Sequence, residues 1–217
     1  MSGLLAVFNE GGPFMYTILL VSIFALATII HKIYILWFKL RLAEDELTGA
    51  IFNQIANNNY ARALQYCNAK DHPLTAILKA VLLRANKSEK EIRRAVEVAA
   101  AKEIPRFKRG VAFLPHFANI ATMVGLLGTI RGLIIAFSGM EGGDAVKRQE
   151  ALSAGIAIAF RATFFALSVA AALVFAFVVL STKQNRVLER IEHAVTSVVD
   201  MIVTKNARAA AVPRKEG

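Results

Sequence analysis

Two apolar stretches of this chain, Gly110 to Met140 and Ala151 to Thr182, hold threonine and arginine but no carboxylate. In the first, Gly125-Leu126-Leu127-Gly128-Thr129-Ile130-Arg131-Gly132, a threonine stands two residues before an arginine. In the second, Gly155-Ile156-Ala157-Ile158-Ala159-Phe160-Arg161-Ala162-Thr163, the order is reversed. A threonine hydroxyl both donates and accepts hydrogen bonds without carrying charge. Thr129 and Thr163 at similar depth on antiparallel helices would therefore hold water or cradle an acid. The pattern suggests a proton path without its proton carrier.

Arg131 and Arg161 are the sharper anomaly, because an arginine at the bilayer centre costs roughly 2.5 to 3.5 kcal/mol on insertion scales and needs a partner or water. If the spans end at Ile130 and Ala162, both arginines snorkel at the outer rim. That placement strands the apolar stretches Gly132 to Ser138 and Ala151 to Phe160 in water, and it puts arginine on the side where the positive-inside rule disfavours it. Longer helices, reaching Ser138 and starting near Ala151, instead bury both arginines in protein or a polar cavity, where they could tune the electrostatics of the path. Residues two apart point to roughly opposite helix faces, so Arg131 and Thr129 need not share a lumen.

Gly125, Gly128, Thr129, Gly132 and Ala136 recur at three- and four-residue spacing, and with Gly155 they offer smooth faces for close helix packing. Packing alone accounts for the glycines; the hydroxyls add the alternative of a pore lining. Enzyme readings fail on inventory. The glycine cluster lacks the Gly-Lys-Ser/Thr ending of a phosphate loop, His31, His72, His116 and His193 are too scattered for a metal site, and no nucleophile and base constellation is recognisable. No metal or other cofactor is expected.

The elements that must position these residues follow from composition. With 217 residues, 56% of them hydrophobic, and a mean hydropathy of +0.48, the chain reads as a membrane protein. Gly11 to His31, Gly110 to Ile130 and Ala162 to Thr182 lack formal charge with His31 neutral, and each is about 31 Å long as helix, enough to span a bilayer. The net charge of +10 is not spread as nucleic-acid binding would require. Lys39 to Arg109 has 14 Lys/Arg against 8 Asp/Glu and the tail from Lys183 has 7 against 4, whereas the connector Gly139 to Glu150 has 2 against 3. The positive-inside rule then predicts an outside N-terminus and a cytoplasmic C-terminus.

The expected order is an extracytoplasmic N-terminus (1–12), a first span (13–38), a cytoplasmic helical domain (39–109), a second span (110–138), a periplasmic loop (139–150), a third span (151–182), and a cytoplasmic C-terminal helix and tail (183–217). The fold class is an all-α membrane protein. Pro13 suits the first turn of the first helix, with Tyr34 and Trp37 at its inner interface. Helices are expected over Leu42 to Ala56, Tyr60 to Ala69, Leu74 to Ala85 and Ser88 to Glu103, the last opened by a Ser88/Glu91 capping box. Pro115 is expected to bend the second span near its entrance. Val187, Leu188, Ile191, Val195, Val198, Val199 and Ile202 form a stripe at helical spacing, which continues the third helix into the cytoplasm. The start, with Glu10 before Gly11-Gly12-Pro13, is unlike a signal peptide, so the first span should be retained. Cys67 is the one cysteine, which excludes an intrachain disulfide.

On these residues the chain resembles the MotA/TolQ/ExbB proton channel family, more closely its three-span ExbB and TolQ branch. Phe8-Asn9-Glu10-Gly11-Gly12-Pro13-Phe14-Met15-Tyr16 and Leu19 to Ser22 are similar to that family's first-span entry, and Tyr60 to Cys67 with His72-Pro73 to its cytoplasmic helices. Gly125 to Thr129 and Gly155 to Thr163 resemble its two pore-helix signatures. The resemblance implies a bacterial inner-membrane subunit, a homopentamer around two copies of a single-span ExbD-, TolR- or MotB-like partner that supplies an intramembrane aspartate. Proton passage would be coupled to mechanical work, with Thr129 and Thr163 at the pore threonine positions. The chain departs from the pattern in three places: Thr122 stands for a proline, Ala166 for a glycine, and Ile158 for a glutamate. The competing readings are a non-conducting membrane scaffold and a subunit of a transporter without a motor.

Overall fold

The computed structural model describes residues 12–39, 41–69, 72–141 and 144–211; for 38–39, 41–48 and 209–211 it describes the backbone alone. The N-terminal stretch 1–11, with Phe8 to Gly11 of the first-span resemblance, lies outside the described residues, as do Gly142, Gly143 and the last six residues of the tail. The architecture is all-helical: α1 (Pro13–Ile33) running into a π-helical turn (Tyr34–Lys39), α2 (Arg41–Ala56), α3 (Tyr60–Ala69), α4 (Pro73–Leu82), α5 (Glu89–Lys108), a 3-10 turn (Val111–Phe113), α6 (Leu114–Ser138) and α7 (Ala145–Ala211). Three segments are long and apolar enough to cross a membrane: Pro13–Trp37, Val111–Ser138 and a stretch within Ala145–Arg208. The chain divides into two compact units, one of Met1–Lys32 with Gly110–Leu180, the other of Ile33–Arg109 with Ser181–Gly217.

The first unit is built from α1, α6 and the first part of α7. Its core is small: Ala25, Ala118, Ala170 and Leu173 form one cluster, and Ile18, Ala121 and Ala166 another. The buried face of α6 reads Leu114, Ala118, Ala121, Gly125, Gly128, Gly132, Ala136, in steps of three and four residues that alternate as far as Gly132, as in a left-handed helix seam. Met123, Leu126, Leu127, Ile130, Leu133, Ile134 and Phe137 of the same helix are exposed. Small side chains inside and large apolar ones outside is the arrangement favoured where the surroundings are lipid, since close backbone approach then drives packing.

Several helix ends differ from the sequence reading. The third long helix begins at Ala145, inside the expected loop 139–150, because Ala145 to Glu150 are good helix formers without glycine or proline, and the Asp144 carbonyl accepts from the Arg148 N–H at 3.1 Å. Pro115, expected to bend the second span, lies in the first turn of α6, where its missing N–H has no helical partner to lose.

The second unit packs α2 to α5 with the stretch of α7 from Ser181. The expected stripe is buried along its length, from Val187 through Ile202, and α2 contributes Ile51 and Ile55, α4 Ile77, Leu78 and Val81, and α5 Ile92. The capping box forms: the Ser88 hydroxyl accepts from the Glu91 N–H, while the Glu91 carboxylate accepts from the Ser88 N–H at 3.2 Å. The Ser88 hydroxyl also donates to that carboxylate at 3.0 Å, and this bond, with the one from the Ser88 N–H, holds the Glu91 carboxyl below its ordinary value. At the next helix up the chain, His72 Nδ1 accepts from the Leu74 N–H at 3.0 Å. α4 ends at Leu82 instead of Ala85, and α5 continues past Glu103 to Lys108, carrying Pro105 close to its end.

Polar side chains from α7 serve the C-terminal ends of other elements. Lys205 Nζ donates to the carbonyls of Ile55 (2.7 Å) and Ala56 (2.6 Å) and to Asn58 Oδ1 (3.1 Å), closing α2 where Asn58 adopts a left-handed φ of 58°. Asn206 Nδ2 donates to the Ala85 carbonyl at 2.6 Å, and buried Gln184 to the Phe107 carbonyl at 2.9 Å. Cations and amides at helix C-termini satisfy carbonyls that the helix itself leaves without donors.

Candidate functional site

The glycines fix how α6 meets α7. A Cβ added to Gly128 would stand 2.5 Å from the Ala162 Cβ, and one added to Gly132 would stand 2.7 Å from both the Ala159 nitrogen and the Gly155 oxygen. At Gly155 the same addition meets the Ala136 nitrogen and the Gly132 oxygen at 2.6 Å, and at Gly125 it meets the Ala166 methyl. The helices therefore run antiparallel in backbone contact, with Gly125 level with Ala166, Gly128 with Ala162, and Gly132 with the turn from Gly155 to Ala159. All four glycines named from the sequence lie on this seam.

Within that frame, Thr163 faces α6. Its Oγ1 lies 3.3 Å from its own Ala159 carbonyl and 3.4 Å from the Gly125 carbonyl across the seam. Thr129 is half-buried and donates to the Leu126 carbonyl of its own helix at 2.6 Å. The register puts the two threonines within a few residues of the same level, roughly 3 Å apart along the axis at 1.5 Å per residue. Both hydroxyl protons are committed to backbone carbonyls, so each oxygen keeps acceptor capacity. Such groups can receive a proton-bearing donor, whether water or a neutral carboxyl, and hold no charge themselves.

The arginines lie elsewhere. Arg131 is exposed, and its Nη1 would be 3.1 Å from a Cβ at Gly12, the residue just before α1, with a φ of +79°. An alanine at Gly12 would therefore be strained as well as crowded. Half-buried Arg161 lines an open groove of about 530 Å³ with Glu150, Ser153, Ala154, Ala157 and Ile158. These six residues are one face of α7, at i, i+3, i+4, i+7, i+8 and i+11. Arg161 thus shares a face with Ile158, while Thr163, two residues on, turns to α6. Glu150 and Ser153 were missed as members of this face, although their spacing from Arg161 is legible in the sequence. Among the described residues, no three His, Cys, Asp or Glu side chains converge as metal ligands.

Comparison with known proteins reaches the same two helices. The family model of the MotA/TolQ/ExbB proton channel family matches residues 68–193, more than half of the chain, and includes Gly125 to Thr129 and Gly155 to Thr163. The chain belongs to this family. It is 30% identical to the putative biopolymer transport protein ExbB-like 1 of Synechocystis over 190 residues, 86% of this chain and 74% of that one. It is also 30% identical to the putative ExbB-like 3 protein of the same organism, over 76% of this chain and 80% of the relative. A putative ExbB homolog of Methanothermobacter thermautotrophicus is 25% identical over 87% of this chain and 66% of its own length. As a member of the MotA/TolQ/ExbB family, the protein is a multi-pass membrane subunit of the proton-channel transport type.

Proposed function

We propose that this protein forms a homopentamer in the bacterial inner membrane, N-terminus outside and C-terminus in the cytoplasm, around two copies of a single-span ExbD-, TolR- or MotB-like partner. The partner's intramembrane aspartate carries the proton past Thr129 and Thr163, and proton flow down its gradient moves the partner against the pentamer. Arg131 and Arg161 act on this path through their field, lowering the proton affinity of the acid and repelling other cations. The observation that carries the proposal is the α6 and α7 seam: two neutral hydroxyls at nearly one depth, acceptors spare, in segments without a carboxylate. The basic residues before α6 and after the apolar part of α7 support the orientation.

The test is proton flux into liposomes containing this protein and a single-span ExbD-, TolR- or MotB-like protein. Thr163→Val removes the hydroxyl at constant volume and is expected to cut flux about tenfold, the rate equivalent of one hydrogen bond worth about 1.4 kcal/mol. Thr163→Ser should retain most of the flux. Unchanged flux in Thr163→Val would refute the path. The scaffold reading has its own support, since Thr163 also bridges the two helices at Gly125. It expects Thr163→Val to lower thermal stability and predicts no proton flux in the native complex.

A further inference from the structure

Three chain segments of the second unit meet where apolar sequence gives way to polar: Trp37 after the first apolar run, Arg106 to Arg109 before the second, and Lys183 after the third. Two contacts tie them together. Lys183 Nζ stands 5.8 Å from the centroid of the Trp37 ring, within cation–π range. Its neighbour Gln184, 3% exposed, donates to the Phe107 carbonyl at 2.9 Å, which brings the start of this polar stretch of α7 against the end of α5. Arg106, Lys108, Arg109 and Arg186 are exposed around that joint and Lys183 is half-buried. Across 103–109 and 181–188 the sequence holds these five cations and one carboxylate, Glu103, whose oxygen is 3.9 Å from Arg106. The collar therefore carries a surplus of positive charge that its own acids do not balance, set at the depth where tryptophan marks the headgroup layer.

We propose that this collar binds the phosphate of an anionic phospholipid. Lys183 takes the phosphate, with Lys108 or Arg109 as the second cation, and the Trp37 ring lies beneath it against the ester and upper acyl region. An anion in solution would have no use for an indole beside cations whose positions border three apolar runs in the sequence. A phospholipid headgroup needs both, since its charge and its hydrocarbon are joined within a few ångströms. Cations clustered at the membrane ends of spans attract anionic lipid by this means.

Trp37 is the only tryptophan of the chain, so its fluorescence reports the lipid beside it. The full chain is reconstituted in phosphatidylcholine vesicles doped with either phosphatidylglycerol or phosphatidylcholine brominated high on one acyl chain, and quenching is compared at equal mole fraction. The expected result is enrichment of the brominated phosphatidylglycerol at Trp37 by about fivefold for each engaged cation. It should fall toward unity in Lys183→Gln and be largely kept in Lys183→Arg. Because Lys183→Gln also alters the indole's surroundings, the readout is the ratio of the two lipids within each variant, and Lys108→Gln with Arg109→Gln, away from the ring, should lower the ratio independently. Equal quenching by the two lipids in the native chain would overturn the proposal. Selectivity that survives both sets of substitutions would overturn its assignment to these residues. Inorganic phosphate in millimolar excess should not reduce the selectivity, and if it does, the site takes a free anion and the lipid assignment is wrong.

Discussion

Gly128→Ala is the perturbation that most directly questions the seam. The new methyl would stand 2.5 Å from the Ala162 methyl, where ordinary contact begins at 3.4 Å, so it falls short by about 0.9 Å. Neither methyl can rotate away, because each Cβ is fixed by its backbone, and the other close atoms, at 3.8 and 3.9 Å, are in normal contact. The helices must part or slip. Overpacking of this kind costs about 1 to 3 kcal/mol, against which alanine's helix propensity returns up to about 1 kcal/mol over glycine. A net loss of about 1 to 2 kcal/mol is expected for the single variant. The exchange Gly128→Ala with Ala162→Gly keeps the same atoms and cancels the propensity difference, and it should restore stability to within about 0.5 kcal/mol, the usual error of additivity. Gly132→Ala should behave differently, because its new methyl meets the Ala159 nitrogen and the Gly155 oxygen at 2.7 Å as well as the Ala159 methyl at 2.8 Å. Ala159→Gly removes only the last of these, so the pair stays near the upper end of the overpacking range. Thermal unfolding in detergent, followed by circular dichroism, measures the four variants against the native chain. If the 128/162 exchange fails to recover, or the 132/159 pair recovers as fully, the contacts do not decide the packing.

Two further outcomes concern the second unit. Lys205→Met removes an ammonium with three oxygen acceptors at the end of α2, and it should cost about 1 to 2 kcal/mol and speed hydrogen exchange over residues 51–59, with Lys205→Arg milder. Burial pushes the Cys67 thiol up from 9.0 to about 11, with Lys79 opposing, so the folded chain keeps its proton longer than the unfolded one. The stabilisation is whole below pH 9 and is lost as pH rises from 9 to about 11. A denaturation midpoint that declines no more steeply in the native chain than in Cys67→Ala over that interval would refute this, as would rapid alkylation of the folded protein at pH 8.

What the sequence could disclose was whatever depends on one helix at a time. Charge-free windows located the three spans because a bilayer sets a minimum length and rejects charge. Ser88 and Glu91 announced a cap because the box is closed by residues three apart. The stripe from Val187 to Ile202 showed its buried side because helical periodicity is local. The early start of α7 was hidden for a local reason too: Val146, Lys147, Arg148 and Gln149 look like loop by charge, yet they form helix as readily as apolar residues do. Which helix the Gly125 face would meet was not legible at all. Its partners Ala162, Ala159 and Ala166 are common residues in any apolar run, and only three-dimensional register selects them.

The same division explains the arginines. A step of two residues turns an α-helix by about 200°, so a threonine placed two from an arginine cannot share its face. Thr163 bonds toward Gly125 while Arg161 lines a groove with Ile158; Thr129 bonds back to Leu126 while Arg131 reaches Gly12. Under the proposed function, the spacing common to both segments carries charge near a neutral path without inserting charge into it. Contact is not needed for influence. Two unit charges about 10 Å apart at an effective dielectric near 20 interact by about 1.7 kcal/mol, which is more than one pKa unit on a carboxylate. Under the proposed function, an arginine on the far face of α7 is thus strong enough to make an acid release its proton more readily. Ile158 and Glu150 share Arg161's face of α7, which Thr163 does not.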